Sequence, residues 1–311
     1  MALGFMFPGQ GSQSVGMLGD LAERHPIIRA TFDEAGDAIG RPLWQIVSSG
    51  PDAELVRTEN TQPALLAASI AVWRVWLAAG GPRPTVLAGH SLGEYSALVA
   101  ADAIAFIDAV RLVHRRGQLM QAAVPQGEGA MAAILGLDDE GVEAACASID
   151  EVVSAANYNA PGQVVIAGTA SGVARAIEAC KARGAKRATP LPVSGPFHCA
   201  LMRPAQDAFA ADLEAVAIRM PGIPVVQNVD ASIADSEAGV RSRLLAQIAS
   251  PVLWTRCVQT MAKAGATRLA ECGPGRVLSG LVKRIERDVE GLALGSVDGM
   301  QAALTESGVA S

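Results

Sequence analysis

Residues 85–101 constrain this chain more than any other stretch. An apolar run at 85–88 predicts a buried strand, 96–101 continue a helix, and between them stands Gly89-His90-Ser91-Leu92-Gly93, a G-x-S-x-G pattern. A strand that turns directly into a helix around that pattern is a nucleophile elbow. The sharp turn forces the serine into a strained backbone conformation, and the two glycines let backbone and helix approach where a Cβ would clash. The Ser91 hydroxyl then projects at a helix N-terminus, whose free N–H groups and dipole favour negative charge. Ester chemistry needs such a place, because an oxyanion develops beside the nucleophile.

An elbow belongs in an α/β fold, and the composition suits one. Half of the 311 residues are hydrophobic and 18% are charged, which supplies a sizeable core. A formal net charge of -6 argues against general nucleic-acid binding. The five cysteines, Cys146, Cys180, Cys199, Cys257 and Cys272, are odd in number and scattered, with no C-x-x-C. They read as reduced thiols rather than a disulfide framework or zinc site. The N-terminus has no basic region of the signal-peptide kind, and no apolar run reaches membrane-spanning length. A cytoplasmic protein that meets no membrane is the expectation.

Outside 129–193 the chain alternates strand and helix, which predicts a mostly parallel sheet covered by helices. The first strand, 3–7, closes at Pro8-Gly9 and leads into Gly9-Gln10-Gly11-Ser12-Gln13, either a plain turn or a loop whose backbone approaches a ligand. A helix is expected over 60–79, with Asn60 or Thr61 as N-cap and Pro63 in its first turn. Another is expected over 104–123, capped by Asp102. It carries Arg115 and Arg116, which point about 100° apart, so one can face inward while the other stays wet.

Further on come a helix at 199–217, a strand at 224–229, a helix at 237–248 and a strand at 267–272. Between 129 and 193 the order becomes β-α-β-β-α-β, with strands at 130–137, 151–156, 163–168 and 186–193. That is the ferredoxin-like split βαβ unit. Residues 1–126 and 196–311 would form the large catalytic subdomain and 127–195 the inserted small one.

A serine nucleophile needs a base. The chain has four histidines. His25 sits among charged residues, and His114 is mid-helix. His90 adjoins Ser91 but points elsewhere and is expected to pack beneath the turn. His198 remains, on the loop Ser194-Gly195-Pro196-Phe197-His198. No carboxylate falls where ordinary α/β-hydrolases place one, so a different orienter is expected, such as a backbone carbonyl accepting the imidazole N–H.

Four segments together resemble malonyl-CoA:acyl carrier protein transacylases: Phe7-Pro8-Gly9-Gln10-Gly11-Ser12-Gln13, Gly89-His90-Ser91-Leu92-Gly93-Glu94-Tyr95, Ala160-Pro161-Gly162-Gln163-Val164-Val165-Ile166-Ala167-Gly168 and Glu271-Cys272-Gly273-Pro274-Gly275. The resemblance spans nearly the whole chain, in the expected order. It implies an α/β-hydrolase-like large subdomain with a ferredoxin-like insert. It implies that Ser91 attacks malonyl-CoA, that His198 is base and then acid, and that the Gln247 backbone carbonyl orients it. The N–H groups of Gln10 and Leu92 would form the oxyanion hole, Arg116 would hold the malonyl carboxylate, and Gln62 would line the pocket. The cycle implied is ping-pong, passing malonyl to the phosphopantetheine thiol of acyl carrier protein for fatty acid synthesis, with no metal and no cofactor. Two rivals share every motif: an acyltransferase of polyketide synthesis and the transferase of a malonate decarboxylase. A serine thioesterase or esterase shares the elbow and the histidine.

Overall fold

The computed structural model describes residues 2–309. Among the described residues, nine strands form two sheets: β1 (Ala2–Phe7), β2 (Val86–Gly89), β3 (Gly129–Leu135), β4 (Val153–Ala160), β5 (Gln163–Thr169), β6 (Arg187–Pro190), β7 (Val225–Val226), β8 (Ala266–Glu271) and β9 (Glu290–Ala293). The larger sheet runs β7-β2-β1-β8-β9, every neighbouring pair parallel. Its central strands are apolar on both faces, as helices on both sides require: in β1, Leu3 through Phe7 are all buried. Phe5 packs edge-on against Trp73 and Trp76 of the long helix Thr58–Ala78.

The smaller sheet runs β4-β5-β3-β6 and is antiparallel throughout. With helices Asp139–Ala147 and Ala170–Ala182 this is the expected β-α-β-β-α-β unit. Asp138 and Thr169 cap those helices by accepting from Gly141 and Gly172 N–H. The outer edge of β4 is tied to the rest of the protein: Tyr158 N–H donates to the Val252 carbonyl at 3.0 Å and Val252 N–H to the Ala156 carbonyl at 2.9 Å.

Several sequence expectations change. The long helix begins at Thr58, behind Arg57, so Asn60 and Thr61 lie inside it. Both donate to carbonyls instead of capping, Thr61 to Leu55 and Arg57, Asn60 to Glu54. Pro63 is therefore interior, and its missing N–H frees the Glu59 carbonyl four residues back. His114 Nδ1 takes up that carbonyl at 2.9 Å. The helix carrying Arg116 spans Phe106–Ala122 behind Ala105. Asp102 is not its cap; it lies in a left-handed turn with φ 59° and faces Arg83.

β4 runs on through Asn157 and Asn159, where a loop was expected, and turns at Pro161-Gly162. The strand expected at 224–229 shortens to two residues, and the helix at 199–217 to Arg203–Glu214 after a turn of 3-10 helix. All five cysteines are free and buried. Among the described residues, no helix is long and apolar enough to cross a membrane.

Candidate active site

The site forms where β1 and β2 end side by side. Phe7 pairs with Gly89 in that parallel register, so the turns after both strands emerge together at the carboxyl edge of the sheet. Ser91 follows with φ 52°, a left-handed conformation rare outside glycine and a sign of stored strain. A Cβ on Gly89 would overlap the Gly93 carbonyl, and one on Gly93 would overlap the Phe7 carbonyl, so the elbow tolerates only glycine at both places. The helix Gly93–Ala100 then starts directly behind the serine.

Ser91 Oγ lies 2.7 Å from His198 Nε2, and His198 Nδ1 lies 2.8 Å from the Gln247 carbonyl oxygen. A carbonyl only accepts, so Nδ1 carries the proton and Nε2 is the bare nitrogen that accepts from the serine hydroxyl. His198 itself sits at φ 60° on its loop. Burial, and then the nearby Arg116 cation, push its pKa down to about 3. At neutral pH the imidazole is a neutral base.

The two adjacent arginines separate as their helical angle allows. Arg115 is exposed and pairs with Asp212 at 3.2 Å. Arg116 is 1% exposed. Gly117 makes that possible, because its lack of a Cβ lets the helix lie against the backbone of Thr58 and Glu59. Arg116 Nη1 donates to Gln62 Oε1 at 2.8 Å, and Nη2 to Gln247 Oε1 at 2.9 Å and to Ser91 Oγ at 3.3 Å. The Tyr95 ring lies 5.6 Å from its guanidinium carbon.

These groups face a cavity of about 180 Å³ bounded by Gln10, Gln62, His90, Ser91, Leu92, Arg116, Met120, Met131, Asn157, Asn159, Val165, Leu191, Val193, Phe197 and His198. It is smaller than the pockets of about 300–1,000 Å³ that take drug-sized ligands and suits a short acyl group. The N–H groups of Gln10 and Leu92 find no acceptor among the described residues and remain available to an oxyanion. Gln247 lies just behind the cavity, wholly buried.

All seven residues singled out from sequence thus converge. His90 departs from expectation: it lines the cavity rather than packing beneath the turn, with Nε2 2.8 Å from Asn159 Oδ1. Sequence reasoning missed Asn228 and gave Glu94 no role. Asn228 Oδ1 accepts from Ser91 N–H at 2.7 Å while its Nδ2 donates to the Gly89 carbonyl at 2.7 Å, bracing both sides of the elbow. No spacing marks Asn228. Glu94 did carry a signal, being the only charged residue between Leu92 and Ala101 on a segment otherwise fit for the core.

A serine, a neutral imidazole and a buried guanidinium around one small cavity are equipment for acyl transfer, and the chain belongs to the acyl transferase family: that family's model, described as "Acyl transferase domain", matches residues 4–293. Within it, the chain groups with the malonyl CoA-acyl carrier protein transacylases. The Salmonella typhimurium protein of that name is 53% identical over 304 residues, covering 97% of this chain and 98% of its own length. The Bacillus subtilis one is 45% identical over 305 residues, covering 97% and 96%. Among solved structures, an acyl carrier protein S-malonyltransferase from Vibrio cholerae superposes with a TM-score of 0.95 at 53% identity, over 97% of this chain and 99% of that one. A malonyl-transacylase solved in complex with a type II polyketide acyl carrier protein gives a TM-score of 0.97 at 51% identity, over 98% and 100%.

Proposed function

We propose that this protein moves the malonyl group from malonyl-CoA to the phosphopantetheine thiol of acyl carrier protein, supplying fatty acid synthesis, through a malonyl-serine on Ser91. As Ser91 Oγ attacks the thioester carbonyl, His198 Nε2 takes the hydroxyl proton, and the oxyanion lies against the N–H groups of Gln10 and Leu92. The C–S bond breaks, His198 returns the proton to the departing CoA sulfur, and the malonyl ester remains. The carrier's thiol then enters, gives its proton to His198 and attacks the ester, and Ser91 leaves with that proton. The Gln247 carbonyl holds the imidazole in the required tautomer throughout. Arg116 pairs with the distal carboxylate of the acyl group, and Gln62 steadies Arg116.

The observation that carries this reading is the convergence on Ser91 Oγ of the His198 Nε2 base at 2.7 Å and the Arg116 Nη2 cation at 3.3 Å. Nucleophile, base and carboxylate partner are within reach of one short acyl chain. The cycle calls for no metal and no resident cofactor, since the thioester is already activated and the phosphopantetheine arrives on the partner. The reading keeps 1–126 with 196–311 as the catalytic subdomain and 127–195 as the insert, and places the protein in the cytoplasm, where free thiols stay reduced.

The test is intact mass after brief exposure to malonyl-CoA. The wild-type protein should gain one malonyl group, lost again on adding holo carrier protein, and Ser91→Ala should gain none. Label on another residue, or a malonyl-enzyme that hydrolyses as fast with no thiol acceptor, would overturn the reading. The likeness to the transacylase solved with a polyketide carrier favours one second reading, service of polyketide synthesis. Relative kcat/KM for the two carrier types separates them.

A further inference from the structure

Behind the cavity lies a polar network of residues that do not line it. Glu94, Gln227, Asn228 and Gln247 are each no more than 1% exposed. Burying a carboxylate is costly unless hydrogen bonds replace its water. Glu94 receives three: Oε2 accepts from Asn228 N–H at 2.7 Å and from Gln247 Nε2 at 3.0 Å, and Oε1 accepts from Gln227 Nε2 at 3.1 Å.

The groups around Gln247 settle which way its amide points. Gln247 Nε2 has only acceptors around it: the Ser91 carbonyl at 3.0 Å, Glu94 Oε2 at 3.0 Å and Asn228 Oδ1 at 3.1 Å. The nitrogen belongs at that end, and the oxygen must take the other. That other end meets Arg116 Nη2 at 2.9 Å. The guanidinium is thus held by two amide oxygens, Gln62 on Nη1 and Gln247 on Nη2. Of the three acceptors around Gln247 Nε2, only Glu94 is ionisable, so its bond is the charge-assisted one. If that bond is lost, the NH2 keeps only two neutral acceptors, the Ser91 carbonyl and Asn228 Oδ1, and the amide is held less firmly against Arg116.

We propose that Glu94 is a positioning residue for substrate selection: as the one ionisable acceptor of the three that hold the Gln247 amide, it strengthens that hold and, through it, aims Arg116 at the carboxylate of the incoming acyl group. This rests on Arg116 pairing with that carboxylate, as proposed above. The charged and titratable groups facing Glu94 are Arg116 from the helix Phe106–Ala122, Cys257 from the helix Trp254–Lys263 and Tyr95 beside it on its own helix. Burial pushes the Glu94 carboxyl up to about 7. Protonation places a hydrogen on an oxygen that otherwise accepts, and weakens the hold on Gln247.

The readout is the ratio of kcat/KM for malonyl-CoA over acetyl-CoA. A purely structural loss lowers both terms and leaves the ratio alone. Glu94→Gln, which keeps an acceptor but removes its charge, should lower the ratio about fivefold to tenfold, the difference between a charged and a neutral hydrogen bond. In a Gln247→Ala background, which already lacks the amide, the same change should lower it no further. In the unaltered enzyme the ratio should fall as pH drops through about 7, whereas in Glu94→Gln it should be low and flat. A Glu94→Gln ratio equal to wild type overturns the proposal. Should that variant not fold, a wild-type ratio constant from about pH 8 to about pH 5 does so. Arg116→Ala separates the two readings. If it leaves the ratio unchanged, the carboxylate pairing itself is wrong; if it collapses the ratio while Glu94→Gln does not, only the role of Glu94 is wrong.

Discussion

The parallel sheet and the antiparallel sheet border the same cavity but equip it differently. From the carboxyl edge of the parallel sheet come the strained serine and the backbone N–H groups of Gln10 and Leu92; beneath them lies the buried network of Glu94, Asn228, Gln247 and Arg116. The antiparallel sheet presents Met131, Asn157, Asn159 and Val165, none of them charged. Charge can be held inside the first region because strand ends and a helix start converge there, each with unpaired backbone groups to offer. Within the second, β3 and β5 each pair with a strand on either side, and what reaches the cavity is shape. Chemistry and selectivity should therefore respond to changes on one side, and pocket fit to changes on the other.

The largest effect should come from Arg116→Ala. Losing the partner of a desolvated charge costs about 2–5 kcal/mol, or roughly thirtyfold to several thousandfold in kcat/KM for malonyl-CoA. Acetyl-CoA should lose far less, and exposed Arg115→Ala should be nearly silent. A constant malonyl-to-acetyl ratio in Arg116→Ala, or a collapse in Arg115→Ala, would point to the wrong arginine.

Gln247→Ala comes next. Its carbonyl still orients His198, but the amide that bonds Arg116 and Glu94 is gone. Malonyl transfer should fall about tenfold to a hundredfold, the scale of lost hydrogen bonds to charged groups, and by less than in His198→Ala. If steady-state kinetics show a Gln247→Ala loss as large as that of His198→Ala in folded protein, the division of labour between main chain and side chain fails.

On the other sheet, Asn159→Ala removes one neutral hydrogen bond, to His90. Its expected cost of about 1 kcal/mol, roughly fivefold, should fall alike on malonyl and acetyl transfer. Unequal losses would mean that the antiparallel sheet also selects.

Smallest is the response of His198 to pH. Its folded pKa is depressed to about 3, so the imidazole is already the free base well below neutrality and loses that role only as pH falls through about 3. Transfer from acetyl-CoA should be flat from about pH 6 to 8. A limb near the ordinary histidine value would show a solvated imidazole.

What was legible in the chain was what short-range geometry enforces. The elbow can be read because Gly89 and Gly93 are compelled by contacts close in sequence or across one strand pair. His198 emerged by elimination among four histidines. The ferredoxin-like unit was plain from its element order, and its strand order of β4-β5-β3-β6 agrees. Boundaries slipped where a tertiary contact overrode local propensity. Of the loop expected over 157–162, residues 157–160 became strand, paired with β5 on one side and tied to Val252 on the other. Asn60 and Thr61, good caps by residue type, were drawn into a longer helix by carbonyls at Glu54, Leu55 and Arg57.

By itself, then, the sequence determined the elbow, the alternation that builds a parallel sheet, the inserted unit and the residue types able to perform acyl transfer, because each depends on neighbours within one turn or on periodicity along one element. Apart from the family resemblance, which pointed to Arg116 and the Gln247 carbonyl, the residue pattern left open which of Arg115 and Arg116 turns inward, what orients His198, and what a glutamate is doing in an apolar helix. Those were decided only in three dimensions. Gly117 lets one helix lie on another and carries Arg116 in with it, the carbonyl that meets His198 lies 49 residues away, and the amide that meets Glu94 lies 153 residues away. A buried charge is stable only where partners converge on it, and the spacing of residues along a chain does not reveal that convergence.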